Sequence, residues 1–169
     1  MKISIIIPTF NEKESIPDLY LEICAAVSGN SDWEIIFVDD GSSDGSKGEI
    51  ERIIAKDSKV KLISFYRNFG KSAALSEGFK HSKGDIIITM DADLQDDPAE
   101  IPNLIKKINE GYDLVSGWKK IRHDPWTKTF PSKIFNFVTR LLTGVKIHDF
   151  NCGLKAYRNS VVKTIEIFG

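Results

Sequence analysis

A mostly parallel α/β sheet with helices on both faces is the fold class this sequence predicts, and three observations predict it. Continuous apolar runs of strand length alternate along the chain with amphipathic helical stretches. The connections between them are short, and no repeat or low-complexity stretch breaks the order. The length, 169 residues with 41% hydrophobic side chains, suits a single domain with a real core. Strand–helix alternation supplies the crossover that parallel neighbours need.

Each element has its own justification. Ile3–Ile7 is a buried strand stopped by Pro8, and Pro8–Glu12 is a loop. Ile16, Leu19, Tyr20, Ile23, Cys24 and Val27 then recur at helical spacing, ending near Gly29. Trp33–Val38 is a second strand, running into Asp39-Asp40-Gly-Ser-Ser-Asp44. Asp44 is placed to cap a helix carrying Ile50, Ile53 and Ile54. Val60–Phe65 is a third strand, Arg67–Lys71 a loop, and Ser72–His81 a small-residue helix able to lie close to the sheet. Gly84-Asp85 opens a fourth apolar strand that ends in Asp91-Ala-Asp-Leu-Gln95. Asp97-Pro98 starts a helix with Ile101, Leu104, Ile105 and Ile108 inside, and Gly111 ends it. Tyr112–Ser116 is a further strand.

Composition excludes several classes. A net charge of −1 provides no global field for nucleic acid. Cys24 and Cys152 are too few and too far apart for a disulfide scaffold or metal site, which makes a reducing, cytoplasmic compartment the default. His123 and His148 match no metal-ligand spacing. The apolar run at Ile3–Ile7 is too short for a signal peptide, and no run of 18 apolar residues suggests a membrane span.

The acidic end of the fourth strand organises the rest. If the chain stays extended there, Asp91 and Asp93 share one face. Two carboxylates about 5 Å apart repel by roughly 3 kcal/mol at an effective dielectric near 20. A hard divalent cation relieves this, with Asp91, Asp93 and Gln95 as oxygen donors. Each of the first four strands ends in a polar loop, and in a parallel sheet these loops share one edge, where such sheets bind ligands. Asp39 can accept a hydrogen bond from a base or a ribose there. No Gly-x-Gly-x-x-Gly follows the first strand, and Gly70-Lys71-Ser72 only imitates the end of a P-loop, after the third strand. NAD enzymes and P-loop hydrolases are thereby disfavoured. A ligand with a base, a ribose and a metal-bridged diphosphate remains.

Five stretches carry a resemblance: Ile-Ile-Ile-Pro-Thr-Phe-Asn-Glu, Val-Asp-Asp-Gly-Ser-Ser-Asp, Arg-Asn-Phe-Gly-Lys-Ser-Ala-Ala-Leu, Met-Asp-Ala-Asp-Leu-Gln-Asp-Asp-Pro and Asp-Phe-Asn-Cys-Gly-Leu-Lys-Ala-Tyr-Arg. In this order they resemble family 2 glycosyltransferases of the GT-A fold, above all the dolichol-phosphate mannose synthase group. The resemblance covers about the whole chain. It implies an enzyme that moves a sugar, with inversion, from a UDP- or GDP-sugar to polyprenyl phosphate, using Mg2+ or Mn2+.

Matching motif to motif, the resemblance implies that Pro8, Phe10, Glu12 and Asp39 frame the base, with Lys71 and Ala92 in the same donor-binding set. Asp91 contacts ribose and metal-bound groups, and Asp91, Asp93 and Gln95 form the metal set. Asp93, Lys119, Asp149 and Lys155 form the candidate catalytic set. Asp149 stands near the acceptor phosphate, orienting groups rather than removing a proton, because a phosphate is already ionised. Lys155 pairs with a phosphate. The family often has Arg where this chain has Lys119 and Lys155, and Lys lacks the bidentate fork. Bland roles stand beside these: Asp39 and Asp40 in a turn with Gly41, Asp44 as a cap, Arg67 and Lys71 on solvated surface, Asp149 closing its own loop. Their falling together on one edge favours a site.

The sequence divides into a nucleotide-sugar half, 1–117, and an acceptor- and membrane-facing part, 118–169. Between Trp118 and Lys146 seven basic residues face Asp124 alone, a local charge of +6. Phe130, Ile134, Phe137, Val138, Leu141 and Leu142 form an apolar stripe there. On the residues alone, a core-packing helix and an interfacial one are equally supported. A lipid-phosphate acceptor favours peripheral membrane contact, at the inner face, with about 1 kcal/mol from each basic residue near anionic lipid. The chain stops soon after Lys155, whereas relatives usually continue, so a short member or a chain truncated at its C-terminus is expected. A homo-oligomer is compatible with this reading. The alternatives are a same-fold enzyme acting on a saccharide acceptor in cell-surface polysaccharide synthesis, and a non-catalytic membrane- or partner-binding module that keeps the fold.

Overall fold

The computed structural model describes residues 1–29, 32–118 and 152–164. Its strands are β1 (Ile3–Thr9), β2 (Trp33–Asp39), β3 (Val60–Ser64), β4 (Ile86–Thr89), β5 (Leu114–Ser116) and β6 (Lys155–Arg158). They form one sheet in the order β3-β2-β1-β4-β6-β5. The first four run parallel, and β6 lies antiparallel between β4 and β5. Its helices are α1 (Ile16–Ala26), α2 (Ser46–Ile54), α3 (Lys71–His81) and α4 (Ile101–Asn109).

Strand alternation divides the core in two. Ile3, Ile5 and Ile7 of β1 pack with Ile16, Leu19 and Ile23 of α1, Ile50 of α2, and Ile101, Leu104, Ile105 and Ile108 of α4. Ile6, Ile36, Val38 and Ile87 point the other way, toward Ala74 of α3 and Val162 of the helical turn Asn159–Val162. Helices therefore cover both faces, as expected. The small residues of α3 do bring it close: a Cβ on Gly78 would collide with Ile6 Cγ2. Cys24 is half-buried on α1, Cys152 is buried, and neither forms a disulfide.

Several boundaries differ from the sequence reading. Pro8 does not stop β1, which continues to Thr9 beside β2. The Ile6 carbonyl faces β4, accepting from Met90 N–H, so alternation turns the Pro8 nitrogen to the same side. There β4 has already ended at Thr89, and no donor is needed. Asp44 does not occupy the cap of α2; Gly45 does, at φ +99°, while the Asp44 carboxylate takes the Ser46 N–H at 2.9 Å. Pro98 opens a 3₁₀ turn, Pro98–Glu100, before α4 begins at Ile101. The acidic strand is short: β4 ends at Thr89, and the chain bends with Leu94 at φ +59°. β6 falls inside the Asp149–Arg158 motif, which carries no strand pattern of its own.

A buried carboxylate ties the amino ends of the strands together. Glu34 is 2% exposed. It accepts from the Ser4 hydroxyl at 2.7 Å, Lys83 N–H at 2.9 Å and Lys61 Nζ at 2.5 Å. Burial pushes its pKa up, but the bonds from Lys61, Ser4 and Lys83 outweigh this and hold it below the usual carboxylate range. A depressed folded-state pKa gives stability that is present above the unfolded-state value, about 4.3. That stability is lost as pH falls through the folded-state value. Glu34→Gln is therefore expected to lower the urea midpoint at pH 7 and to narrow its gap from wild type as pH falls below about 4. Parallel midpoint curves for the two proteins would show that Glu34 carries no such linkage.

Candidate functional site

The strand order reverses at β1, with β2 on one side and β4 on the other. Open α/β sheets bind ligands beyond the strand ends at such a switch point. A cleft of about 330 Å3 opens there. Four strand ends line it: Pro8 and Thr9 at the end of β1 with Phe10 and Glu12 beyond it; Asp40 after β2; Asn68, Gly70 and Lys71 after β3; Asp91, Ala92 and Asp93 after β4.

Hydrogen bonds lace the first two loops together. Asn11, at φ +57°, donates its N–H to Ser42 Oγ at 2.9 Å and accepts from Ser43 N–H at 2.9 Å through its side chain. Glu12 N–H reaches Ser46 Oγ at 2.9 Å, and Lys13 N–H reaches Asp44 at 3.0 Å. The loops after β2 and β3 are joined by Asp40, whose carboxylate accepts from Phe69 N–H at 2.7 Å and Gly70 N–H at 2.8 Å. These bonds fix the start of α3, where Lys71 stands. The Lys71 ammonium donates to Asp91 Oδ1 across the cleft. Phe10, 46% exposed, offers a ring at the rim.

The motif around Gly153 supports Asp91 from behind. The Thr89 hydroxyl donates to the Gly153 carbonyl at 2.9 Å. A Cβ on Gly153 would lie 2.5 Å from Asp91 Oδ2 and 2.8 Å from Asp96 Oδ2. Asp96, buried, accepts from Asp91 N–H at 3.3 Å. Glycine is required here by space, not by backbone angle. Gly153→Ala is therefore expected to displace the Asp91 carboxylate and weaken ligand binding in the cleft roughly ten-fold or more, as a misplaced polar contact does. Calorimetric titration of a nucleoside diphosphate with Mn2+ measures it, and an unchanged affinity would refute the packing argument.

Of the residues singled out from the sequence, Pro8, Phe10, Glu12, Lys71, Asp91, Ala92 and Asp93 line this one cleft. Asp39 lies beside it but faces inward, 2% exposed, accepting from Ser42 N–H at 3.2 Å and the Ser64 hydroxyl at 3.2 Å. Gln95 is exposed outside the lining, and its N–H donates to Asp93 Oδ1 at 3.1 Å. Lys155 opens β6 opposite Thr89, at the same end of the sheet. Lys119, Asp149, His123, His148 and nearly all of the basic 118–146 stretch lie outside the described residues. Sequence reasoning missed Asp40, Asn68, Gly153 and Asp96. Asp40 follows Val38 by two residues, and Val38 faces α3, but only the packing of α3 shows that side.

The donor chemistry around Asp91 and Asp93 is all oxygen, and Asp91 already carries a cationic partner, so the residues present suit a hard divalent ion. Among the described residues no three Asp, Glu, His or Cys side chains converge on one metal position. The remaining ligands would have to come from a bound molecule or water. Among the described residues no helix is long and apolar enough to cross a membrane.

Comparison with known proteins places this chain in a family. Residues 4–166 match Glycosyl transferase family 2. The undecaprenyl-phosphate 4-deoxy-4-formamido-L-arabinose transferase of Shewanella sediminis is 44% identical over 165 residues, covering 96% of this chain and 50% of that protein. The chain thus spans about half the length of this curated relative. A mannosyltransferase from Pyrobaculum calidifontis, solved with GDP-Man and Mn2+, superposes with a TM-score of 0.75 at 23% identity, over 99% of this chain and 47% of that one. Glucosyl-3-phosphoglycerate synthase from Mycobacterium tuberculosis, solved with Mn2+ and UDP-glucose, gives 0.75 at 22%, over 98% of this chain and 59% of that one. The fold is shared with both, and with the match over nearly the full length it follows that the chain belongs to glycosyltransferase family 2 and has its GT-A fold.

Proposed function

We propose that the cleft binds a nucleotide-diphosphate sugar and that the protein transfers the sugar, with inversion, to polyprenyl phosphate. The observation that carries this is the meeting of four loops at the switch point, with Lys71 facing Asp91 and Asp93 across one cleft. Phe10 and Pro8 offer apolar surface for a base, and Lys71 a charge for a phosphate. Asp91 and Asp93 would hold Mg2+ or Mn2+, with Gln95 completing the candidate set. The ion, when bound, neutralises charge on the departing diphosphate. Asp39 shapes the base end through the loop it pins at Ser42.

The polyprenyl acceptor is supported by the curated relative, whose name specifies undecaprenyl phosphate. An ionised acceptor phosphate needs orientation more than deprotonation. The motif assigns Asp149, Lys119 and Lys155 to the acceptor, and the pairing of Lys155 with Thr89 at the end of β4 supports that reading for Lys155. The basic 118–146 stretch would hold this end against an anionic membrane. Calorimetry with UDP and GDP, with and without Mn2+, tests the donor assignment. Transfer from labelled UDP- and GDP-sugars to polyprenyl phosphate tests the reaction. Failure of both nucleotides to bind in a metal-dependent manner would overturn the proposal.

A further inference from the structure

We propose that Lys71 is a built-in substitute for the cation, so that divalent metal and donor diphosphate bind as a coupled pair. This rests on the reading of the cleft as a nucleotide-sugar site. The two oxygens of Asp91 face different neighbours. Its Oδ2 lies on the Gly153 side, where an added Cβ would come within 2.5 Å of it. Its Oδ1 faces the cleft, and the Lys71 ammonium already holds it. A metal ion arriving alone must evict that ammonium or sit beside a like charge.

The eviction is mechanically simple. The backbone of Gly70, next to Lys71, is fixed by Asp40 at 2.8 Å. The Lys71 side chain beyond it is 52% exposed, against 29% for Asp91, so its four-carbon stem can swing while its base stays still. A diphosphate entering the cleft gives the displaced ammonium a new anionic partner. Metal binding frees Lys71 for phosphate, and phosphate draws Lys71 off Asp91 for metal. Each ligand therefore raises the affinity of the other by the same factor.

The test measures Mn2+ binding without nucleotide, by the electron paramagnetic resonance signal of the free ion, in wild type, Lys71→Met and Lys71→Arg. Calorimetry of UDP and GDP with and without Mn2+ completes the cycle. Lys71→Met is expected to bind Mn2+ alone about ten-fold more tightly than wild type. It should bind nucleotide alone more weakly and lose the part of the coupling that Lys71 carries, while Lys71→Arg stays close to wild type. Mn2+ binding by Lys71→Met that is no tighter than wild type overturns the substitute role. If wild type then still binds nucleotide in a metal-dependent way, the donor-site reading stands. If wild type binds neither nucleotide, both fall together.

Discussion

Asp93→Ala is expected to reduce sugar transfer by about 10²–10³-fold, the loss seen when one preorganised electrostatic group is removed from a reacting centre. The fold should survive. Asp93 is exposed, and the bond it makes among those resolved at the loop is with its near neighbour Gln95 N–H, at 3.1 Å. Surface changes of this kind stay within about 0.5 kcal/mol of wild-type stability. The loss is therefore assigned to charge at the cleft, and Asp93→Asn separates charge from loop geometry. Asparagine keeps an acceptor for Gln95 N–H but removes the anion. If charge is what matters, Asn and Ala variants lose transfer and Mn2+-dependent nucleotide binding to a similar degree. Near-wild-type transfer by Asp93→Ala would remove Asp93 from the reaction.

What the chain revealed before its structure was known depended on distance along it. The helical spacing of Ile16, Leu19 and Ile23, and the apolar run Ile3–Ile7, are local patterns, and both became core elements. β6 had no such pattern. Lys-Ala-Tyr-Arg is half polar, and its strand character comes from β4 on one side and β5 on the other, reached from far along the chain. Side-chain direction was legible only where an element was regular. Asp91 and Asp93 were expected to share a face through strand alternation, yet β4 ends before either of them. Both nevertheless line the cleft, from the irregular segment that follows β4. Four strand ends on one edge could be inferred from the alternation of strands and helices. Which of two adjacent aspartates closes that edge required the packing of α3.

Asp40→Ala shows how much depends on that second aspartate, and it is expected to damage both stability and binding. Asp40 is 3% exposed, and both its oxygens are engaged by Phe69 and Gly70 N–H. Bonds to a charged acceptor contribute about 1.5–3 kcal/mol each, and removing the acceptor strands their donors. A loss of about 3 kcal/mol is expected, or roughly 6–12 °C in Tm for a chain of this size. Little slack exists to absorb it: a Cβ on neighbouring Gly41, itself at φ +74°, would lie 2.5 Å from the Arg67 backbone. The released segment carries Lys71, so nucleotide affinity should fall more than ten-fold even where the protein remains folded. Asp40→Asn retains one acceptor oxygen and sets an amide N–H₂ against the other donor, so its losses should lie between wild type and Asp40→Ala. Thermal melts and nucleotide titrations of the two variants, read below their Tm, check this order. Full nucleotide affinity in Asp40→Ala would mean that the start of α3 holds its position without the clamp, and that Lys71 is placed by helix packing alone.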